Sequence, residues 1–306
     1  MPSCWAGDPV TLSISIVTPT LNRLAMLKEA VESVRAQGYP RVEHLIVDGG
    51  SSDGTGDWVA AQVDLTLLPG PDRGVYDAMN KGIAAARGDV IGLLNSDDFY
   101  EPGAFAAVAA VFRAHPEAEV VAGRARLVEG NATVERYEAP ADLVPDVRSI
   151  LVGHCLPNAR FFRADILNRV GPFRLEHGLV ADRDFLVRLV EARVRVLPIE
   201  APLYVYRRHE GSLTFDGNLK LSLRLRHELL KLGRRWRDNA RASERARSAG
   251  RILEGRQRLM LGLTALRLGH PGEAFSHLLG EKGKPSARAA SAVALALIDA
   301  TTAGRR

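Results

Sequence analysis

Four times within the first 113 residues, a short aliphatic run ends in a polar loop and is followed by a segment of helical periodicity. The runs are Leu12 to Thr18, Val42 to Val47, Leu65 to Leu68 and Val90 to Leu94; the helices expected after them span 24–36, 57–62, 76–86 and 102–113. Alternating strands and helices of this length specify a parallel sheet with helices on both faces, because each crossover must return over the sheet. Val90 to Leu94 (VIGLL) is apolar throughout, as a central strand covered on both sides should be. In such sheets ligands bind beyond the carboxyl ends of the strands. The polar clusters fall there: Thr18-Pro19-Thr20, Asp48, Asp53 and Asn95-Ser96-Asp97-Asp98.

The remainder of the chain changes character twice. Residues 119–128, 134–137 and 160–163 read as further strands in a mixed region, followed by a helix over 185–192 and a short strand over 194–198. From Leu219 the pattern is helical and basic. Residues 219–306 hold 19 Lys/Arg against 7 Asp/Glu, whereas residues 1–218 hold 22 against 29. The expected division is therefore an α/β domain over 10–215 and a helical basic extension over 216–306. An acidic front suits a divalent cation, and a basic tail suits anionic headgroups or an acidic partner. Met260 to Leu279 looks like one helix-turn-helix unit, too little for a repeat array.

Other classes are disfavoured. Cys4 and Cys155 are far apart and belong to no Cys/His cluster, so neither a disulfide framework nor a zinc site is expected. The N-terminus lacks the basic start and apolar run of a signal peptide. The longest near-apolar stretch, Ala289 to Ile298, falls short of the roughly 20 residues that cross a bilayer. A cytoplasmic location is expected, with the basic helices as a candidate peripheral contact on the inner membrane face.

Three loops carry the chemistry. Asp97-Asp98 follows the apolar strand, and two adjacent carboxylates there favour a hard cation such as Mn²⁺ or Mg²⁺ that bridges a diphosphate. Asp48-Gly49-Gly50-Ser51-Ser52-Asp53-Gly54-Thr55 places a carboxylate at a strand end, where it can accept from a base N–H, beside glycines that admit a flat ligand. Read alone, the loop is equally an ordinary turn capped by Asp53 or Thr55. Pro71 to Gly82 (PDRGVYDAMNKG) joins an exposed arginine to a helix start, so Arg73 or Lys81 can meet phosphate, while Tyr76 and Met79 read as core.

In order and spacing these segments, with Ser15 to Arg23 and Gly88 to Asp98, resemble glycosyltransferase family 2, inverting enzymes of the GT-A fold; the resemblance covers about residues 12–215. It implies a nucleotide-binding mixed sheet flanked by helices. It also implies transfer of a sugar from a nucleotide-sugar, a UDP-sugar first, to a glycan or lipid-linked hydroxyl. Nucleic acid is not an expected partner. Thr18 and Pro19 would line the nucleotide pocket, Asp48 would contact the base, Arg73 would lie near base and phosphates, and Asp97 would touch the ribose or sugar. Asp98 and His209 would ligate the metal. The acidic motif that supplies the proton acceptor aligns with Val180-Ala181-Asp182-Arg183-Asp184-Phe185, which makes Asp182 the base and Asp184 its fallback. Where many relatives have aspartate this chain has Asn95, and Ala181 replaces a glutamate. His154, Asn158 and Arg160 fall on the expected acceptor side. Two other functions share the sheet and carboxylate logic: a sugar nucleotidyltransferase and a non-catalytic nucleotide-binding adaptor. The first would need a glycine-rich loop where Thr18 to Arg23 stands.

Overall fold

The computed structural model describes residues 11–130, 132–138, 143–153, 158–209 and 219–279, and the chain divides into two compact units, Met1–Phe215 and Asp216–Arg306. Cys4, Cys155, His154 and the apolar stretch 289–298 lie outside the described residues.

In the first unit the elements run β1 (Ile14–Thr20), α1 (Leu24–Arg35), β2 (Val42–Asp48), α2 (Thr55–Ala60), β3 (Leu65–Pro69), α3 (Val75–Ala85), β4 (Val90–Leu93), β5 (Phe99–Tyr100), α4 (Ala104–Ala114), β6 (Val120–Glu129), β7 (Ala132–Tyr137), α5 (Val147–Val152), β8 (Arg160–Arg163), α6 (Ala164–Val170), a 3₁₀ turn (Leu175–Val180), α7 (Ala181–Glu191) and β9 (Val196–Arg208). The strands form one sheet in the order β3-β2-β1-β4-β8-β6-β9-β5, with β7 beside β6. The four βα repeats supply the parallel half, β3-β2-β1-β4. Beyond β4 the sheet is mixed: β8 is antiparallel to β4 and β6, β9 parallel to β6, and β5 antiparallel to β9. The main core lies where the halves meet, with Ile14, Ile16, Val90, Phe105, Phe161 and Tyr204 all buried.

Three sequence expectations are corrected. The turn expected at Pro19 is strand, with Pro19 opposite Val47 and Thr20 opposite Asp48. Proline is tolerated because Val17, two residues earlier and facing the same way, bonds toward β4 through its carbonyl, and β4 has ended by Leu93. The missing N–H therefore has no ladder to break. The short strand at 194–198 is the start of a 13-residue strand. Pro198 and Pro202 conceal it in the sequence, and the pairing absorbs them through register shifts opposite Gly123 to Ala125. The helix expected from Phe185 begins at Ala181, which puts Asp182 and Asp184 in its first turn, where carboxylates are favoured.

The second unit contains, among its described residues, helices α8 (Leu219–Asp238), α9 (Glu244–Arg267) and α10 (Pro271–Leu279). Ser243 caps α9 through an N–H donated by Ala246 at 3.2 Å. Leu230, Leu232, Trp236, Ala249, Leu253 and Leu261 fill the packed faces. Glu254 is buried and engaged by Arg234, Arg237 and Arg258, so one carboxylate holds three arginines of a basic unit. No described helix is long and apolar enough to cross a membrane.

Candidate active site

The loops after β1 and β2 are knitted together at the carboxyl edge of the parallel strands. Asn22 accepts from the Ser52 N–H at 2.8 Å and gives its own N–H to Ser51 Oγ at 2.8 Å. Asp53 accepts from the Leu24 N–H at 2.9 Å and the Thr55 hydroxyl at 2.5 Å, so one carboxylate serves the starts of α1 and α2. Asp48 is buried and turned into its own loop, accepting from the Ser51 N–H at 3.1 Å and the Ser51 hydroxyl at 2.5 Å. Gly49 approaches a neighbour rather than leaving a bare surface: a Cβ there would stand 2.5 Å from Asp72 Oδ2. Thr18 is fully buried, its hydroxyl 2.8 Å from Nε2 of a His44 whose burial pushes its pKa down to about 3. Thr18 thus supports the edge from beneath and presents no surface. Pro19 is buried beside it. Arg73 is 78% exposed and returns its guanidinium to Asp77 at 3.2 Å.

At the tip of β4 the two aspartates separate. Asp98 is 1% exposed, and both its oxygens are engaged: the Tyr204 hydroxyl donates at 2.6 Å, the Asn95 amide at 3.0 Å and the Arg207 N–H at 2.8 Å. Burial, followed by the charge of Asp97, pushes its pKa up to about 8. Asn95 is a donor to Asp98 in this chain. Asp97 is the partly exposed member. Its Oδ2 accepts from Arg23 and lies 3.1 Å from His209 Nε2. His209 lies beside Asp97 rather than beside Asp98, whose oxygens meet Tyr204, Asn95 and Arg207. Arg23 was not assigned a role from sequence. The signal was present: β1 and β4 are parallel neighbours, so the loops leaving their carboxyl ends must meet.

Among the described residues no three His, Cys, Asp or Glu side chains cluster as a preformed metal cage. The donors at β4 nonetheless fit a divalent cation of the Mg²⁺ or Mn²⁺ kind, which is held by one or two protein ligands and completed by phosphate oxygens and water. Asp97 Oδ2 and His209 Nε2 are an oxygen and a nitrogen donor on one partly exposed spot.

The first turn of α7 divides its aspartates similarly. Asp184 is fully buried; Arg188 donates to its Oδ2 at 2.8 Å, while Arg174 and His177 lie 3.7 and 3.5 Å from its Oδ1 without hydrogen-bonding it. Arg188 also donates to the carbonyls of Val170 and Pro172, closing the end of α6. Asp184, the fallback base expected from sequence, is thus buried beside Arg188, which ties the end of α6 to α7. Asp182 is half-buried; desolvation raises its pKa, and Arg183 and the Tyr76 hydroxyl oppose that rise. Arg183, also unassigned from sequence, donates to the carbonyls of Ile150 and Gly153 at 2.7 and 2.8 Å and so ties α7 to the end of α5. Asn158 and Arg160 are buried: Asn158 donates to Tyr204 at 3.1 Å and Arg160 to the Leu143 carbonyl at 3.2 Å.

Strand β9 carries two tyrosines near the site. Tyr204 and Tyr206 are two residues apart in a regular stretch of strand and so share one face of the sheet. Tyr204 donates to Asp98 at 2.6 Å, and Tyr206 and Asp182 both act electrostatically on Tyr76.

Comparison with known proteins identifies the family and the fold. Residues 15–171 match the family profile described as Glycosyl transferase family 2. An uncharacterized glycosyltransferase of Mycobacterium tuberculosis is 35% identical over 189 residues, covering 58% of this chain and 68% of that protein. A PGL/p-HBAD biosynthesis glycosyltransferase of Mycobacterium bovis is 33% identical over 180 residues, covering 57% and 68%. Among solved structures, S. aureus TarS 1-349 in complex with UDP-GlcNAc superposes with a TM-score of 0.62 at 16% identity, over 87% of this chain and 80% of that one. The mannosyltransferase PcManGT from Pyrobaculum calidifontis in complex with GDP-Man and Mn2+ gives 0.60 at 19% identity, over 98% and 84%. The fold is that of GT-A glycosyltransferases, and the chain belongs to glycosyl transferase family 2.

Proposed function

We propose that this chain is an inverting glycosyltransferase. It moves a sugar from a nucleoside diphosphate sugar, a UDP-sugar first among donors, to the hydroxyl of a glycan or lipid-linked acceptor in the assembly of surface polysaccharide or glycoconjugate. The observation that carries this reading is the pairing of the Asp97 carboxylate with His209 at 3.1 Å beyond the carboxyl end of β4 in a chain of family 2, with Asp182 half-buried in the first turn of α7. The nucleotide-sugar complexes of the similar folds and the PGL/p-HBAD biosynthesis relative support the substrate class.

Asp182 takes the proton of the acceptor hydroxyl as that oxygen attacks the anomeric carbon. The bond from that carbon to the diphosphate breaks on the opposite face, and the configuration inverts. Asp48 orients the nucleobase, and Arg73 turns from Asp77 toward phosphate charge. Asp97 and His209 would hold a Mn²⁺ or Mg²⁺ ion, with Asp98 bracing the loop; such an ion neutralises charge on the departing diphosphate. Arg23 holds the Asp97 carboxylate in place.

Calorimetric titration of nucleotide-sugars with Mn²⁺ present tests the division of labour. Asp97→Asn should lose cation-dependent donor binding, whereas Asp182→Asn should bind donor as wild type does. Chelating the metal should reproduce the Asp97→Asn result on the unaltered chain. Equal loss in both variants would refute separate donor and acceptor roles.

The basic helical unit supports a cytoplasmic protein that docks on an anionic membrane face, next to lipid-linked acceptors. Residues 219–279 hold 14 Lys/Arg against 5 Asp/Glu. Salt-sensitive co-sedimentation with vesicles of anionic lipid is the expected outcome; absence of binding at low salt would remove the membrane from the reading.

A further inference from the structure

The segment Val75 to Gly82 (VYDAMNKG) has a use that the donor loop alone does not explain. Tyr76 and Asn80 are four residues apart on α3 and share one face. Asn80 makes both amide hydrogen bonds to the backbone of one residue: its Nδ2 donates to the Phe173 carbonyl at 2.9 Å, and its Oδ1 accepts the Phe173 N–H at 2.9 Å. This pair fixes the position and rotation of Phe173 as a strand partner would. The Tyr76 ring packs on the Phe173 ring at 5.2 Å, and Phe173 packs on Phe185 at 4.7 Å. Phe185 lies three residues beyond Asp182 on α7, hence on a neighbouring part of the same helix face. The Tyr76 hydroxyl points to the same place, 3.5 Å from the Leu179 carbonyl three residues before Asp182, and it acts electrostatically on the Asp182 carboxylate.

The other contacts of α3 anchor it. Asp77 accepts the Arg73 N–H at 3.0 Å and meets Lys81 at 3.4 Å, which secures the 70–74 loop to the helix start. Gly82 lets the helix press onto β1, where a Cβ would stand 2.2 Å from Val17 Cγ1. One helix thus carries the Arg73 loop at its start and grips the segment that leads into Asp182 with its side.

We propose that Tyr76 and Asn80 are positioning residues for the transfer: they clamp residues 173–182 against α3 so that Asp182 is held ready for the acceptor hydroxyl. This inference rests on Asp182 being the proton acceptor. Two residues divide the work. Asn80 sets where the segment lies. Tyr76 sets the environment of the carboxylate with its neighbouring hydroxyl, which favours the ionised form against the cost of burial. The other charged and titratable groups around Asp182 are Arg183 on its own helix and, through Tyr76, Tyr206 on β9.

The test measures kcat, donor Kd and the pH profile of kcat/KM for Tyr76→Phe, Asn80→Ala and Asp182→Asn, with thermal melts on each. Tyr76→Phe keeps the ring packing and removes only the hydroxyl. It should lower kcat by about 10- to 100-fold, leave donor Kd within about twofold, and move the acid limb of the profile to higher pH. Asn80→Ala should lower kcat to a similar degree without moving the limb. If Asn80→Ala does not fold, Asn80→Asp retains the acceptor for the Phe173 N–H and replaces it. A Tyr76→Phe enzyme with unchanged kcat and an unmoved acid limb, beside an inactive Asp182→Asn, overturns the clamp and leaves the base assignment standing. An active Asp182→Asn overturns the base assignment itself.

Discussion

The tip of β4 and the first turn of α7 each carry two aspartates, and they divide them in the same way. One member is buried and held by protein donors: Asp98 on both oxygens by Tyr204, Asn95 and Arg207, and Asp184 on one oxygen by Arg188. The other remains partly open: Asp97 beside His209 and Arg23, and Asp182 beside Tyr76. The regions differ in what holds the open member. Asp97 sits among cationic and ligand-type groups, suited to a charged donor. Asp182 sits under a phenol in a desolvated spot that raises its pKa, suited to accepting a proton. The two carboxylates of a motif need not share an environment: in each pair one is buried and the other stays partly open.

The largest expected effect that sharpens this contrast is on turnover. Asp182→Asn should cut transfer by about 10²- to 10⁴-fold, the usual worth of a positioned base, as measured by nucleoside diphosphate release with acceptor present. The corresponding change on its buried partner should act on stability instead. Asp184→Ala leaves Arg188 buried without its carboxylate and should cost about 3–5 kcal/mol in urea denaturation. Asp182→Ala should cost under about 1 kcal/mol, since the charge it removes is one that burial disfavours. If both variants lose stability equally, the division of labour at α7 fails.

A smaller effect is expected at β4. Tyr204→Phe deprives Asp98 of its phenolic donor and Asn158 of its acceptor, a loss of about 1–3 kcal/mol on the same assay. The smallest concerns pH. Because desolvation raises the pKa of Asp182, its carboxylate protonates at a higher pH than an ordinary aspartate as acid is added. The acid limb of kcat/KM should therefore lie above the usual aspartate range, and a limb within that range would place the base elsewhere.

Much of this was legible in the sequence because the parallel half of the sheet follows local rules. VIGLL reads as a buried strand, and each βα turn places its polar residues on one edge, so Asp48, Asp97 and Asp98 could be assigned to strand ends. What was not legible depends on pairing across the mixed half. β9 contains Pro198 and Pro202, which local propensity reads as breaks, and only the bulged register with β6 makes it a strand. Tyr204 therefore had no visible reason to meet Asp98, 106 positions away. Likewise, nothing local distinguishes Asp182 from Asp184, or Asp97 from Asp98. Burial decides each case, and burial is set by residues such as Arg188 and Arg207. Tyr76 was read as core, which its ring is, but its hydroxyl reaches the first turn of α7.

The central claim is a single displacement in which Asp182 deprotonates the incoming alcohol opposite the departing diphosphate. Proton NMR of the sugar after one turnover, with a donor of known anomeric configuration, tests it most directly. The account predicts an inverted anomer, formed by the unaltered chain and absent with Asp182→Asn. A product that keeps the donor's configuration would contradict it.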